Sequence, residues 1–388
     1  MTAVMPETAI MDDLDRRIVH ALQIAPRAPW NLVGSVAGVD PATAARRWQR
    51  LTDAGAAWIT CYPFVRSVAD AFLVELTCDP GTTVGVALTL AGDRNVASVN
   101  VTAGGHDVLV EAATASPRES ARYCLGRLGA VPGIRTIRTL PVVRPYTEGS
   151  SWRLRALDPG AQARLAASAP PAPGRAGPAA PFQDDDWKVF RCLADDPRMP
   201  LRELAERTGV SPSTARRRLQ AVTDGRIRLR VELARTLSGW PVSATFFADC
   251  PADRIDATAR ALVKIPEVRA VGSLVGPVNL FMALWLRSVE HVQDFESQLN
   301  VKVPHLSVAD RSLVLRPVKQ VGQLLDEDGW RIGSLPFDIG PQRREEAASP
   351  GRRSPVRTTV PVCDSLSRGA ASTTTAGSPP TCPPLSGC

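Results

Sequence analysis

The stretch LRELAERTGVSPSTARRRLQAVTDG, residues Leu201–Gly225, has the pattern of two short helices joined by a tight turn. Leu204 and its apolar neighbours fall at helical spacing and predict a buried stripe on the first helix. Gly209 tolerates the positive φ that a sharp turn between helices needs. Ser211 and Pro212 then stand where a helix begins, because a serine hydroxyl caps a free N–H group and proline has none to leave unpaired. The stretch therefore predicts a helix-turn-helix, a motif whose second helix enters the DNA major groove.

The second helix presents side chains suited to DNA on the face opposite its apolar stripe. At about 100° per residue, Ala215, Leu219 and Val222 share one face, and Arg217 and Gln220 point the opposite way. Arginine can fork onto guanine and glutamine onto adenine, so this pair is predicted to contact base edges. Further DNA contacts, mainly to phosphates, are predicted for Ser213, Thr214, Arg216, Arg218, Arg226, Arg228 and Arg230. The alternative is an ordinary helical hairpin with a solvated, charged outer face.

The chain contains the same unit twice. Residues Gly38–Asp53 align without a gap to Gly209–Asp224, 171 positions later. The agreement extends to Val131-Pro132, which matches Val303-Pro304 at an offset of 172. Self-similarity that persists over such a distance indicates that whole domains are duplicated. The residues of the first copy that are predicted to bind DNA are Arg46, Arg47 and Gln49.

The second copy is expected to carry most of the DNA affinity. After its second helix, Ile227, Leu229 and Val231 alternate with arginines, which predicts a strand with one apolar and one cationic face. In the first copy Ala45 replaces Arg216, and the corresponding segment AAWI contains no arginine. Each phosphate that the second copy neutralises would steepen the salt dependence on duplex DNA by about 0.9.

Composition favours a folded cytoplasmic protein with a polyanionic partner and offers no enzyme site. The chain has 388 residues, 44% of them hydrophobic, and a net charge of +7. Its eight cysteines have no CxxC spacing and its four histidines no metal-ligand spacing, so we expect reduced thiols, no metal and no cofactor. We recognise no leader peptide, membrane span, phosphate loop or nucleophile elbow, so neither a membrane partner nor a catalytic residue is predicted.

Beyond the first helical unit the hydrophobic pattern changes. The element order is strand, helix, strand, strand, helix, strand over residues 71–143, and again over 242–315. That order is the ferredoxin-like split βαβ fold, which leaves one sheet face open for a paired copy to cover. The expected class is α+β, with the following domains. They are helix-turn-helix domains at 12–60 and 182–232, ferredoxin-like domains at 66–147 and 238–326, an Ala/Pro/Gly linker at 155–181 that is expected to be a semi-extended tether, and a disordered tail at 340–388.

A helix-turn-helix followed by a βαββαβ domain resembles the Lrp/AsnC family of transcription regulators, and the stretch LRELAERTGVSPSTARRRLQAVTDGRI is similar to its DNA-binding signature. The resemblance covers residues 12 to about 326, in two copies. It implies that the protein binds double-stranded DNA, pairs through its ferredoxin-like domains and responds to a small effector such as an amino acid. The family binds effectors near the turn between the second and third strands of that domain. Here those positions are Gly104, Gly105 and Asp107 in the first copy and Gly276 and Asn279 in the second.

Other interpretations of the same residues remain open. The glycines and Asp107 are also ordinary residues for a hairpin turn, and His106 beside them is either a ligand or a solvated side chain. Family members usually carry one copy per chain, so two copies are expected to form an intramolecular pseudo-dimer. The runner-up function is a tetrapyrrole-processing enzyme, because sirohaem decarboxylases share the layout and use His and Arg side chains. The scarcity of histidine and the arginine-rich second helix argue against it. A third possibility is a small-molecule sensor that has lost DNA binding, and the basic strand at Arg226–Arg230 argues against that function.

Overall fold

The computed structural model of the protein describes residues 11–63, 71–169, 182–223 and 226–340. Part of the predicted linker, 170–181, and the predicted tail after Gly340 lie outside these residues. The helices of the first half are α1 (Asp13–Ile24), α2 (Trp30–Ala37), α3 (Pro41–Asp53), α4 (Thr83–Ala91), α5 (Pro117–Arg122) and α6 (Pro159–Ser168). The strands of the first half are β1 (Ala57–Pro63), β2 (Ala71–Cys78), β3 (Val96–Ala103), β4 (Val108–Ala113) and β5 (Ile134–Thr147).

The second half repeats this order of elements. Its helices are α7 (Asp184–Asp195), α8 (Leu201–Thr208), α9 (Pro212–Thr223), α10 (Ile255–Leu262) and α11 (His291–Lys302). Its strands are β6 (Ile227–Leu233), β7 (Val242–Asp249), β8 (Val268–Leu274), β9 (Leu280–Leu286), β10 (Ser307–Gln320), β11 (Gln323–Leu325) and β12 (Arg331–Ser334). The predicted α+β class, with two helix-turn-helix units and two ferredoxin-like units, is confirmed.

Each half begins with three helices whose ends follow from the sequence. Asp40 caps α3 by accepting a hydrogen bond from the Thr43 N–H, and Pro41 occupies the first helical position. Gly38 ends α2 with a φ of 79°, and its counterpart Gly209 ends α8 with a φ of 70°. A glycine adopts this left-handed conformation without steric cost, so the chain turns sharply into α3 and α9.

A ribbon of two strands joins the two helix-turn-helix units. Strand β1 of the first half pairs antiparallel with β6 of the second, from Ala57 opposite Leu233 to Pro63 opposite Ile227. Each strand also packs against the other half. Leu233 lies in the apolar core of α1–α3, and Cys61 of β1 lies in the core of α7–α9. Because both cores bury side chains from the opposite copy, hydrophobic burial holds the two units in one relative orientation.

The two ferredoxin-like units form one closed sheet. The first half contributes the strand order β3-β4-β2-β5 and the second β8-β9-β7-β10. Strand β5 pairs with β8, and β10 pairs with β3, so eight strands close on themselves. Inside, Leu73, Leu140, Phe247 and Leu274 belong to a core that both halves share. Each open sheet face is therefore covered by the other copy, as we expected of a pseudo-dimer.

The first part of the predicted linker is a helix, which corrects the expectation of an extended tether. Helix α6 is capped by Asp158, with Pro159 at its first position. Ala161 and Leu165, four residues apart, are buried in the core of the first helix-turn-helix unit. The helix as a whole is rich in alanine, the best helix former, and contains no proline after Pro159. Its amphipathic spacing was hidden by the proline-rich residues that follow.

The chain continues beyond the predicted boundary at residue 326 and ties the halves together. Strand β11 extends the closed sheet by pairing with β10, and β12 pairs with β11. Further on, the carboxylate of Asp338 is 3% exposed and lies 2.6 Å from Arg94 and 2.9 Å from Arg191. These arginines belong to the first ferredoxin-like unit and to α7, so one buried carboxylate joins both halves.

Within the described ranges, no helix has the length and apolar character needed to cross a membrane. The cysteines in these ranges are all free thiols, namely Cys61, Cys78, Cys124, Cys192 and Cys250.

Candidate nucleic-acid interface

Helix α9 exposes the face that the sequence predicts for base contacts. Ala215 and Val222 are fully buried against the rest of the unit. Arg216, Arg217 and Gln220 are exposed, as is Ser213, whereas Thr214 is half-buried. Among the described residues, no carboxylate forms an ion pair with Arg216 or Arg217. This surface thus offers two uncompensated positive charges and an amide, which is the chemistry that base edges and phosphates require.

Three of the predicted DNA-binding arginines are held inside their own units, which corrects their expected orientation. Arg47 lies 3.2 Å from Asp15 on α1, and its counterpart Arg218 lies 3.3 Å from Asp186 on α7. Arg226 lies 2.5 Å from the other oxygen of Asp186. Both aspartates are 1% exposed, so these ion pairs attach each recognition helix to the first helix of its unit. Asp15 and Arg47 recur 171 residues later as Asp186 and Arg218, and this repetition of both partners could have identified the pairs.

The cationic face of β6 is covered, contrary to the expectation that it faces DNA. Arg228 is 13% exposed and Arg230 8% exposed, and both lie near the carboxylate of Glu148 from the first half. The same carboxylate accepts a hydrogen bond of 2.5 Å from the hydroxyl of Tyr62. Burial opposes ionisation of Glu148, but the positive charge of Arg230 holds the pKa of Glu148 below its usual range. The arginine alternation therefore serves the junction between the two halves.

The first recognition helix, α3, exposes less positive charge. Arg46 and Gln49 are exposed, as predicted. The Gln49 amide donates a 2.7 Å hydrogen bond to Asp53, which lies on the same helix. Trp48 is 6% exposed and packs inward. Arg50 is also exposed, but it lies 2.5 Å from the buried carboxylate of Asp15. With one of its exposed arginines paired in this way, α3 is a weaker electrostatic surface for phosphates than α9.

The glycines predicted near an effector lie where the two halves touch. A Cβ atom on Gly104 would stand 2.4 Å from the backbone oxygen of Arg311, and one on Gly105 would stand 2.7 Å from Asp310. In the other half, a Cβ on Gly276 would stand 2.5 Å from Leu140. Each turn therefore approaches the long strand of the opposite half closely, and at Gly104, with a φ of 145° and a backbone atom as its neighbour, the site requires glycine.

The polar residues of these turns bind their own domain. Asp107 accepts a 2.7 Å hydrogen bond from the Cys78 N–H. Asn279 accepts from the Cys250 N–H at 3.0 Å and donates to the Cys250 carbonyl at 2.7 Å. The carboxylate and the amide therefore perform the same task in the two copies, which explains why the change from Asp to Asn leaves the fold intact. Effector contact by these turn residues remains a prediction.

His106 is buried instead of solvated. It is 3% exposed, and its Nδ1 atom lies 3.7 Å from Glu75 and 3.8 Å from Asp310 of the second half. Burial lowers the pKa of His106, and burial also raises the pKa of Glu75. The three side chains present nitrogen and oxygen atoms of the types that cations bind. Arg138 already engages Glu75 at 3.1 Å, so the group is a polar cluster within the closed sheet.

Family models match both kinds of domain. The AsnC-type helix-turn-helix domain matches residues 11–52 and again residues 184–221. The Lrp/AsnC ligand binding domain matches residues 248–324. These ranges coincide with α1–α3, with α7–α9 and with the second ferredoxin-like unit. The two separate helix-turn-helix matches agree with the duplication seen in the sequence and the fold.

Known proteins resemble one half of the chain. An uncharacterized HTH-type transcriptional regulator of Pyrococcus abyssi is 27% identical over 139 residues, which cover 35% of this chain and 87% of the relative. The HTH-type transcriptional regulator FL11 of Pyrococcus horikoshii is 21% identical over 146 residues, covering 37% of this chain and 96% of the relative. Each relative is thus about as long as one copy.

A solved structure resembles the whole two-copy layout. The crystal structure of the siroheme decarboxylase NirDL has a TM-score of 0.52 and covers 82% of this chain and 96% of its own. The sequence identity is 13%, which supports a shared fold alone. Together, the two helix-turn-helix matches, the matching ligand-binding domain and the regulators among its relatives show that the chain belongs to the Lrp/AsnC family of transcriptional regulators.

Proposed function

We propose that the protein binds DNA sequence-specifically, with α9 as the principal reading helix and α3 as a weaker second one. The observation that carries this proposal is the exposed face of α9, where Arg217 and Gln220 stand side by side on a unit that matches the family's DNA-binding domain. Bidentate contacts of arginine with guanine and glutamine with adenine are each worth about 1–3 kcal/mol of discrimination. Arg216 adds a phosphate contact beside them.

The two copies act as a pseudo-dimer within one chain. The shared ribbon of β1 and β6 and the closed sheet support a fixed arrangement of the two recognition helices. A two-fold arrangement of this kind is suited to two half-sites about one helical turn apart. Because α3 and α9 differ in charge, we expect the half-sites to differ in sequence and in strength. A small effector such as an amino acid would act by favouring one arrangement of these units.

DNA selection with the full-length protein tests this proposal. Genomic fragments that the protein retains would be sequenced, and binding to the best fragment would be titrated against salt by gel shift. We expect affinity to fall with salt on a logarithmic slope of about −0.9 for each phosphate neutralised. Scrambled fragments of equal length are the control. Absence of binding at low salt, or equal binding to scrambled fragments, would contradict sequence-specific regulation.

A tetrapyrrole-processing enzyme is the second candidate, favoured by the fold likeness over 82% of the chain. Its support is limited to fold, and the uncompensated charges on α9 have no role in it. A purified protein with a haem-like absorption band, or one that removes carboxyl groups from an added iron tetrapyrrole, would favour this candidate over the regulator.

A further inference from the structure

A cavity of about 670 Å³ lies between the recognition helix α9 and the first half of the chain. This volume is within the range of sites that hold small molecules. Helix α9 contributes Arg216, Leu219, Gln220 and Thr223 to its wall. The opposite wall comes from residues 23–28 around the end of α1, from residues 145–148 at the end of β5, from Ser150, Ser151 and Arg153, and from Ser168 and Ala169 at the end of α6. None of the turn glycines that the family resemblance implicates is among the residues that line this cavity.

The walls of this cavity carry an excess of positive charge. Four arginines line it, and the lining contains one carboxylate, that of Glu148. Glu148 is already engaged by Tyr62 and by the guanidinium groups of Arg228 and Arg230. Arg153 donates hydrogen bonds to backbone carbonyls, which do not neutralise its charge. The four arginines are Arg27, Arg153, Arg216 and Arg228. A ligand with a negative group is therefore favoured by the electrostatics of the site.

The same walls also offer apolar surface for the body of a ligand. Apolar side chains line the cavity among the arginines, and they come from both halves of the chain. They include Ile24, Pro26, Leu219, Ile227 and Leu229. A mostly apolar lining with a few fixed polar groups is typical of small-molecule sites. The combination fits an organic anion with an apolar body better than it fits inorganic phosphate.

The cavity shares residues with the predicted DNA surface. Arg216 and Gln220 are exposed on α9 and also line the cavity. An anion bound there would attract the guanidinium of Arg216 and add negative charge beside the DNA phosphates. We propose that this cavity binds a small organic anion with an apolar body, and that its occupancy weakens DNA binding by α9. The second part rests on the proposed function, whereas the first part stands without it.

The first copy provides an internal control, because it has different residues at two positions that line the cavity in the second copy. Ala45 stands where the second copy has Arg216, and Trp48 stands where it has Leu219. Trp48 is 6% exposed and lies in the core of the first unit, whereas Leu219 lines the cavity. Only the α9 side therefore combines an exposed arginine with an open apolar wall, among the two recognition helices of the described chain.

Titration of the full-length protein with 8-anilinonaphthalene-1-sulfonate tests the binding part. This probe joins an apolar aromatic body to a sulfonate and fluoresces when it is bound away from water. We expect one saturable site. Arg216→Glu and the cavity-filling Ala169→Trp should each weaken probe binding at least tenfold. Ala45→Glu, which places the same acidic side chain at the equivalent position of α3, should change it less than twofold. Thermal unfolding of each variant confirms that it is folded.

The coupling part is tested by linkage. If probe and DNA oppose each other, each must weaken the binding of the other by the same factor. We expect the probe to reduce DNA affinity at least threefold in the unmodified protein and to have no effect in Ala169→Trp. Equal probe binding by all folded variants would overturn the cavity assignment. If probe binding is weakened in the variants as expected, but the probe leaves DNA affinity unchanged, the coupling is overturned. A protein that binds the probe and no DNA would contradict the proposed function and leave the cavity in place.

Discussion

Arg27 and Arg198 lie 171 residues apart in the chain, and each donates hydrogen bonds to backbone carbonyls of the loop that contains the other. Arg27 donates to the carbonyl of Pro197 and, at 2.8 Å, to that of Met199. Arg198 donates to the equivalent carbonyls of the first copy, at 2.5 Å to Pro26 and 2.7 Å to Ala28. Burial, with the nearby charge of Arg27, lowers the pKa of Arg198 to about 10. The two helix-turn-helix units are thus joined by these reciprocal arginine hydrogen bonds as well as by the ribbon of β1 and β6.

This reciprocal pair should contribute measurably to stability. Arg198→Ala leaves two carbonyl groups without their donors, which we expect to reduce the free energy of unfolding by about 2 kcal/mol. Arg27→Ala should cost a similar amount, and the double variant should cost less than the sum, because the two side chains serve one interface. Urea unfolding of the three variants measures these terms. Additive losses would indicate that the forks act independently.

Helix α6 should behave as part of the first helix-turn-helix core. Leu165 has no exposed surface. Leu165→Ala should lower the free energy of unfolding by about 2–4 kcal/mol, since it creates a cavity in that core. Leu125→Ala is a suitable control because Leu125 is 84% exposed. If both variants unfold at the same denaturant concentration as the parent protein, residues 159–168 act as a tether after all.

The role of Asp107 can be separated into structure and charge. Asp107→Ala removes the acceptor of the Cys78 N–H and should cost about 1–3 kcal/mol of stability. Asp107→Asn should cost less than about 1 kcal/mol, because Asn279 satisfies the equivalent N–H of Cys250 with an amide. Thermal unfolding compares the variants. Full stability of Asp107→Ala would show that the hydrogen bond is dispensable and would leave effector binding as the role of this carboxylate.

His20 should make the protein less stable in mild acid. It is 1% exposed, and its Nδ1 atom accepts hydrogen bonds from the N–H groups of Ala156 and Leu157, both at 3.1 Å. Burial, followed by the charge of Arg153, lowers the pKa of His20 to about 4. The unfolded chain binds this proton near pH 6.5, so stability is complete above that pH and falls as the pH drops from 6.5 towards 4.

The expected loss is about 2 kcal/mol at pH 5 relative to pH 7 from this residue alone. His20→Asn keeps an acceptor near the two N–H groups and cannot take up the proton. We therefore expect a smaller difference between denaturation at pH 7 and pH 5 in His20→Asn than in the parent protein. The same pH dependence in both proteins would mean that His20 is not the titrating group.

Much of the fold was predictable because the duplication repeats local signals. Gly209, Ser211 and Pro212 specify a turn and a helix start through their backbone preferences alone, and the same pattern recurs near Gly38. The order of strands and helices likewise follows from the changing hydrophobic period. What these signals cannot contain is the pairing of β1 with β6, or of β5 with β8, because each depends on residues more than 100 positions apart.

In the candidate site, the sequence predicts which side chains point outward from the helix, but it does not predict which of them are paired. The positions of Arg217 and Gln220 follow from the rotation of one helix. Whether an arginine is free or paired depends on partners that another element supplies, such as Asp186 for Arg218 and Glu148 for Arg228. The cavity beside α9 was not predictable for the same reason, since its walls come from both copies.

Comparison of Arg217→Ala with Arg46→Ala tests the central claim most directly. Both positions lie on the outer face of a recognition helix, 171 residues apart, so the two variants are matched. Fluorescence anisotropy on the best selected fragment, at one salt concentration, should show at least a tenfold loss of affinity for Arg217→Ala and a smaller loss for Arg46→Ala. A larger loss at Arg46, or unchanged affinity in both variants, would contradict the account.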